Sequence, residues 1–153
     1  METYVRGATP EAVADAAFKV DRAIKGAAYA VGAEVVIEDL GSYAPLHQDA
    51  ELSGLFENNA LRFMDSSVIY HNIDMVGSTD MGDLSLRLPV IQPTFGGYTG
   101  GAHSRDFCSV DDYVTHILPC KIMTATVIDL LCDNACAAKR IKENFDKTHK
   151  KTI

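Results

Sequence analysis

The chain has 153 residues, of which 23% are charged, and its formal net charge at pH 7 is -7. This charge argues against nucleic acid as the main partner, because proteins bind phosphates through clustered Lys and Arg side chains. No apolar run approaches the roughly twenty residues that span a bilayer, and the N-terminus lacks the pattern of a secretion signal, so the composition predicts a soluble, cytoplasmic protein without a membrane partner.

The first predicted elements form a strand-helix-strand unit. The β-prone run 2–6 predicts a strand, and the run 34–40, rich in Val and Ile, predicts a second one. Between them, Thr9 followed by Pro10 is typical of a helix start, and apolar residues then recur at helical spacing until Gly32. Such a unit normally makes a right-handed crossover between parallel strands, but two strands are too few for an independent sheet. The unit therefore requires strands from elsewhere.

A boundary is predicted over residues 41–49, where a Tyr-Ala-Pro-Leu segment leads the chain away from the first unit. Residues 50–63 predict a short amphipathic helix, because their apolar side chains recur along one side. After it, residues 68–70 are a candidate strand, and 71–76 are read as a connection.

The next predicted strand is 90–95, in which Pro93 favours a sheet edge, a bulge or an early end. Four glycines within residues 96–101 follow it. They indicate either a flexible loop or a loop whose backbone a ligand can approach closely.

The C-terminal part is predicted to be helical. Ser109 with two following aspartates marks a helix start, and apolar residues keep helical spacing to about Asp133. Pro119 either kinks this helix or opens its main part. Asn134 is predicted to cap a last helix that reaches about Lys147.

Neither the cysteines nor the basic residues are predicted to form a binding site. No two cysteines form a C-x-x-C pair, which favours reduced, mostly buried thiols over a zinc site or a disulfide framework; the four are Cys108, Cys120, Cys132 and Cys136. Acidic residues interrupt the basic cluster at the C-terminus, as on a solvated helix face; its members are Lys139, Arg140, Lys142, Lys147, Lys150 and Lys151.

His103 is the main candidate for a functional residue. Glycines precede it and Ser104 follows, so its ring can reach a cleft at the end of a strand. Imidazole is the commonest metal ligand, but isolated histidines in loops are common too, and the residues alone leave both readings open. The other histidines are assigned structural or exposed positions: His47, His71, His116 and His149.

Three other residues are candidates for the site, and two of them, Asp80 and Arg6, also have an ordinary structural explanation. Asp80, in the turn 77–83, either stabilises that turn through local hydrogen bonds or orients the His103 ring. Ser104 is assigned the same orienting role. Arg6 is either an exposed side chain at a strand end or a ligand for a carboxylate.

Four short motifs together resemble a known family. They are ETYVRGATPE at 2–11, GSYAPL at 41–46, GSTDMGD at 77–83 and GAHS at 101–104. In this order, and with the C-terminal helices behind them, they resemble the C-terminal half of a metal-dependent amidohydrolase of the aminoacylase and carboxypeptidase family. The resemblance is closest to the aminobenzoyl-glutamate hydrolase type and covers nearly the whole chain.

The resemblance implies an α/β fold in two parts. Residues 1–46 would be the strand-helix-strand half of a lid domain, which usually makes the dimer in this family. Residues 47–153 would be the C-terminal part of the catalytic α/β domain.

The resemblance also implies site residues. His103 falls on the family's final ligand to zinc or manganese, Arg6 falls on a lid position that approaches substrate, and Gly100 and Gly101 belong to the loop beside the substrate. The other metal ligands and the paired glutamates, one of them the general base, belong to an N-terminal half that these residues do not match. No catalytic residue is therefore assigned in this chain, and a divalent metal is expected only in a complete site.

Two functions follow as expectations. The first is a partial amidohydrolase that cleaves N-acyl amino acids or aminobenzoyl-glutamate-like small molecules once a complementing N-terminal half completes the site. The second is a non-catalytic remnant or assembly module that forms a homo-oligomer through its lid strands and exposed apolar surface.

Overall fold

A computed structural model describes residues 1–41, 43–71 and 78–149. Most of the regular structure within these ranges is helical. The elements, in chain order, are α1 Pro10–Ala30, α2 Ala50–Ala60, a 3-10 turn Ser66–Val68, α3 Met81–Ser85, β1 Tyr98–Thr99, β2 Cys108–Ser109, a π-helical turn Tyr113–Ile117 and α4 Leu118–His149.

The described residues divide into two compact units. The first comprises residues 1–47 and 78–86, and the second comprises 48–71 and 87–149. The chain thus passes from the first unit to the second after His47, returns at 78–86, and re-enters the second at Arg87. The assignment of 1–46 to a lid and 47–153 to a catalytic domain stays a prediction.

Helix α1 dominates the first unit and confirms the helix predicted after Thr9. The Thr9 hydroxyl accepts a hydrogen bond from the Ala12 amide at 3.1 Å, and Pro10 occupies the first helical turn. Gly32 follows the helix with a positive φ of 70°. No residue of α1 is buried, so the apolar side of this helix is incompletely covered.

The strands predicted over 2–6 and 34–40 are wrong. Neither segment joins a sheet in the described part of the chain, whose two-stranded sheet is β1 with β2. The physical reason is that a β-prone sequence becomes a strand only when a neighbouring strand accepts and donates its backbone hydrogen bonds. In the described part of the chain, neither segment has a strand beside it.

Helix α3 binds residues 44–47, the segment with which the chain leaves the first unit. Asp83 accepts a hydrogen bond from the Ala44 amide at 2.8 Å, and the buried Ser85 hydroxyl accepts one from the His47 amide at 3.1 Å. At Gly82, an added Cβ would lie 1.8 Å from the Ala44 carbonyl oxygen, so only glycine fits there. Gly82, Asp83 and Ser85 thus have structural roles in this turn.

The core of the second unit lies between α2 and α4. Ala60, Leu118 and Ile122 are buried together, and Phe56 packs edge-on against Phe95 with 6.2 Å between ring centroids. The helix predicted over 50–63 is confirmed but ends at Ala60. Its start is capped by Asp49, which accepts a hydrogen bond from the Leu52 amide at 2.8 Å.

Polar side chains connect α2 to α4 at two levels. The buried Asn59 amide donates to the Asp129 carboxylate at 2.7 Å. In the first turn of α2, Glu51 pairs with Arg140 and accepts a hydrogen bond from Asn144 at 3.1 Å. The Arg140 guanidinium lowers the pKa of the Glu51 carboxyl below its usual range. The first contact joins the end of α2 to the part of α4 before its interruption, and the second joins the start of α2 to the part after it.

The strands predicted at 68–70 and 90–95 are also wrong. Ser66–Val68 forms a 3-10 turn, and residues 90–95 join no strand. Backbone groups at 90 and 92 form hydrogen bonds outside a sheet. The Val90 carbonyl accepts one from the Asp49 amide at 2.8 Å, and the Gln92 amide donates one to the Gln48 side chain at 2.8 Å. The connection read at 71–76 lies outside the described residues, except for His71.

Helix α4 is interrupted near the point where the sequence predicts a new helix. Cys132 to Ala135 have non-helical backbone angles, and Asp133, Asn134 and Ala135 have positive φ values of 49°, 58° and 57°. This confirms the helix boundary predicted between Asp133 and Asn134. Pro119 lies in the first turn of α4, so of its two alternatives the structure supports opening the helix.

Replacing Ala135 by glycine is expected to stabilise the protein. A non-glycine residue with left-handed angles costs roughly 1–2 kcal/mol, which glycine avoids. Ala138→Gly, in the regular part of the same helix, is the control and should instead cost about 1 kcal/mol. The free energy of unfolding in urea measures both. A loss of stability for Ala135→Gly equal to that of Ala138→Gly would mean that the helix is continuous.

Helix α4 also bears on the expected location of the protein. The span Tyr113–Thr148 is long and apolar enough to cross a membrane, with a mean hydropathy of 1.4 over its most apolar 18 residues, of which 22% are buried. Core helices of soluble proteins pass the same test, so the cytoplasmic location stays a prediction. The prediction of mostly buried thiols is wrong, because all four cysteines are exposed.

Candidate functional site: the His103 hairpin

A small hairpin positions His103. Its strands pair Tyr98 with Ser109 and Thr99 with Cys108, and the Tyr98 and Phe107 rings stack with centroids 4.9 Å apart. We call residues 97–110 the His103 hairpin, because the Val110 amide closes its base by donating to the Gly97 carbonyl at 2.8 Å. Strand pairing, ring stacking and this closing hydrogen bond thus hold together the two strands that flank the loop.

His103 lies exposed in this loop with a positive φ of 66°. Histidine is among the few non-glycine residues that adopt left-handed angles with some frequency. The next residue fixes the turn: the Ser104 amide donates to the Gly101 carbonyl at 3.0 Å. The imidazole therefore projects from a hydrogen-bonded turn, as the glycines before it and Ser104 after it indicate in the sequence.

The Ser104 hydroxyl has partners that the sequence analysis did not identify. It shares its proton between the Gly101 carbonyl, at 2.5 Å, and the Asp106 carboxylate. That hydrogen bond lowers the pKa of the Asp106 carboxyl. Ser104 thus organises the loop that carries His103, and its predicted action on the imidazole itself stays a prediction.

Gly100 and Gly101 differ in what the backbone requires. Gly100 has a positive φ of 81°, and an added Cβ would lie 2.3 Å from the Asp106 carbonyl oxygen. At Gly101 the closest atom to an added Cβ is the Ser104 hydroxyl oxygen at 3.4 Å, an ordinary contact. The conformation of the loop requires glycine at position 100. It does not require glycine at position 101, so close approach of a ligand stays a possible reason for Gly101.

Arg6 and Asp80 belong to the first unit, and His103 belongs to the second. Arg6 is exposed, and its guanidinium lies over the Tyr4 ring, 5.7 Å from the centroid. Asp80 is exposed at the start of α3 and accepts a hydrogen bond from the Thr79 hydroxyl at 3.1 Å. The roles predicted for both residues at the site of His103 stay predictions.

Some residues used in the sequence analysis lie outside the described ranges. Ser42 and Gly77 each belong to a motif of the family resemblance, and Lys150 and Lys151 belong to the C-terminal basic cluster. The structural account of those motifs therefore rests on their other members.

The described residues do not form a metal site by themselves. Within residues 1–41, 43–71 and 78–149, no group of three or more His, Cys, Asp or Glu side chains is placed to hold an ion. A catalytic zinc or manganese site needs about three protein ligands and an open position. A zinc or manganese site that uses His103 would therefore draw its other ligands from outside the described residues.

Among the described residues, an open groove of about 390 Å³ lies away from the hairpin along α4; it is lined by Phe63, Ile117, Cys120, Lys121, Thr124, Ala125 and Ile128. The sequence analysis missed this surface. Its signal was present, because the helix between Tyr113 and Leu131 carries apolar residues on all sides, and a helix of that type is normally covered all round.

Comparisons of the chain with protein-family models, with curated proteins and with solved structures found no match. The proposed family therefore rests on the four sequence motifs and on the residues that they assign.

Proposed function

We propose that this chain contributes one part of the active site of a metal-dependent amidohydrolase. The observation that carries the proposal is the presentation of His103, whose exposed imidazole projects from a hydrogen-bonded turn. A ligand on such a turn is preorganised, because the turn fixes the backbone before an ion arrives. The motif around His103 is also the one that the family resemblance assigns to a metal ligand.

The remaining ligands and the general base are supplied by another polypeptide in this proposal. A single imidazole binds an ion weakly and leaves its coordination incomplete, so the chain alone is expected to lack hydrolytic activity. The substrate class is a small N-acyl amino acid or an aminobenzoyl-glutamate-like amide. In the complete site Gly101 offers its backbone to the substrate; the loop itself does not require glycine there, because an added Cβ would make only an ordinary contact at 3.4 Å.

Mixing tests this proposal. The full chain is combined with the N-terminal half of an aminobenzoyl-glutamate hydrolase-type enzyme and with manganese or zinc chloride. We expect amide hydrolysis in the mixture and none in either part alone. His103→Ala should reduce the rate at least 100-fold, because removal of a ligand disrupts the site.

The control is His116→Ala, which removes another exposed imidazole of the same unit and should leave the rate unchanged. A second readout is independent of turnover: Mn²⁺ should broaden the backbone NMR signals of the His103 hairpin in the mixture, and His103→Ala should remove that broadening. An assembled complex that shows neither hydrolysis nor broadening contradicts the proposal.

The second candidate function is a non-catalytic, self-associating module. The observation that favours it is the large amount of exposed apolar surface on both units; examples are Tyr29, Val36, Leu40, Val110, Ile128 and Leu131. Isolated soluble domains rarely expose so many large apolar side chains. This candidate predicts an oligomer that is indifferent to manganese and zinc.

A further inference from the structure

Two exposed cysteines flank the interruption of α4. Cys132 precedes and Cys136 follows the three residues with left-handed backbone angles, 133–135. Consecutive left-handed residues trace the mirror image of an α-helical turn, and a turn of either hand places the Cα atoms of residues i and i+4 about 6 Å apart. The two cysteines are therefore close in space, although the right-handed helix is broken between them.

The two side chains leave this turn on the same side. Cys132 has a φ of -58° and a ψ of 162°, and right-handed helical angles resume at Cys136. These conformations turn both Cβ atoms outward, so that the pair mirrors two side chains four residues apart on an ordinary helix, with about 5–6 Å between Cβ atoms. A disulfide needs roughly 4 Å between Cβ atoms, which is less. Two metal–thiolate bonds in line, of about 2.3 Å each, span the larger gap between the sulfurs.

A groove gives access to Cys136. Its volume is about 310 Å³, and it is lined by Asp133, Asn134, Cys136, Lys139, Arg140 and Glu143. Its two cations and two carboxylates balance, so the net charge of the lining favours neither a cation nor an anion. The selection of a ligand by this pair therefore depends on the number and kind of its donor atoms.

The donor set is small and soft. Within residues 1–41, 43–71 and 78–149, no group of three or more His, Cys, Asp or Glu side chains is placed to hold an ion, so the two thiols act without a third such ligand from that part of the chain. Zinc almost always takes four ligands in structural sites, and calcium and magnesium take oxygen ligands. Thiolates select soft ions, of which Cu(I) is complete with two ligands in line.

We propose that Cys132 and Cys136 form a two-coordinate thiolate site for Cu(I). Each thiol releases one proton to solvent as its sulfur binds the ion, so one Cu(I) and two thiols give a complex of charge -1 and two protons. No electron is transferred. The site is independent of His103 and goes beyond the proposed function.

The test uses the full-length chain with Cys108→Ser/Cys120→Ser, which retains only the proposed pair. It is titrated with Cu(I) without oxygen, in competition with the coloured chelator bathocuproine disulfonate. We expect one Cu(I) per chain. A further Cys132→Ser or Cys136→Ser should lower the affinity at least 100-fold, because the second thiolate no longer binds at high effective concentration. All four cysteines are exposed, so the circular dichroism of each variant should match that of the native chain.

The matched control is Cys108→Ser/Cys136→Ser, which also keeps two thiols on α4. Cys120 and Cys132 lie before the interruption and about 18 Å apart along the helix, too far to share an ion. This variant should bind Cu(I) no more tightly than a chain with one thiol. X-ray absorption of the loaded pair should show two sulfur neighbours around copper, and sedimentation should show the same mass with and without Cu(I).

Three results overturn the proposal. The first is equal Cu(I) affinity in the chains with and without Cys136, which would show adventitious binding to single thiols. The second is an increase in mass on loading, because the ion would then bridge two chains. The third is displacement of Cu(I) by an equal concentration of Zn²⁺, which would reveal further ligands around a four-coordinate site.

Discussion

Gly100→Ala is expected to disorganise the His103 hairpin, whereas Gly101→Ala should leave it intact. Alanine at 100 must adopt the positive φ of 81°, and its Cβ would meet the Asp106 carbonyl oxygen at 2.3 Å. Strained backbone angles and a backbone overlap together cost about 2–5 kcal/mol. A two-stranded hairpin cannot absorb a cost of that size, so the loop should open.

The measurement is made on the hairpin itself. In the native chain the stacked Tyr98 and Phe107 rings shift each other's NMR signals, and that shift should disappear in Gly100→Ala and persist in Gly101→Ala. The pair also separates structure from function. If Gly101→Ala keeps the stacking but weakens hydrolysis in the assembled enzyme, Gly101 acts on the substrate. Stacking that survives in Gly100→Ala would refute the described loop.

Ile122→Ala is expected to cost about 2–5 kcal/mol of folding free energy, the usual range for deleting a buried aliphatic side chain. Ile122 is fully buried and is the central member of the cluster with Ala60 and Leu118. A domain is commonly stable by only about 5–15 kcal/mol, so this single change should remove a large fraction of the folding stability of the second unit.

Urea titration followed by circular dichroism measures this change. Met123→Ala is the matched control, because Met123 is the next residue of α4 and 57% of it is exposed. It should change the free energy of unfolding by less than about 0.5 kcal/mol. Equal effects at 122 and 123 would show that α4 does not present the described side to the core.

The helices were predictable because their signals are local. Thr9 with Pro10 marks the start of α1 within a few residues, and the structure confirms that cap. The change in helical pattern after Asp133 indicated the interruption of α4. In each case the deciding interaction lies within about one helical turn, a distance that a single sequence encodes directly.

The strands were not predictable because their deciding interactions are distant. Residues 2–6, 34–40 and 90–95 have β-prone compositions, yet no partner strand lies beside them in the described part of the chain. The pair that does form, β1 with β2, is only two residues long on each side and has no distinctive pattern. Pairing depends on position in the fold, and composition does not contain that information.

The candidate site was predictable only in outline. Glycines before His103 indicated an exposed loop, and the structure places the imidazole on one. The part that Ser104 and Asp106 play in that loop could not be read from the sequence, because serine and aspartate make such local hydrogen bonds in many different turns. The exposed thiols were missed because the burial of a cysteine depends on what packs against its element; three of the four lie on α4 and Cys108 lies in β2.

The small apolar core has a thermodynamic consequence. Among the described residues, six apolar side chains are buried, all in the second unit; they are Ala60, Val90, Leu118, Ile122, Ile141 and Phe145. The heat-capacity change of unfolding grows with the apolar surface that becomes hydrated, so here it should be small for the chain length. The chain should therefore melt over a broad temperature range, which differential scanning calorimetry measures.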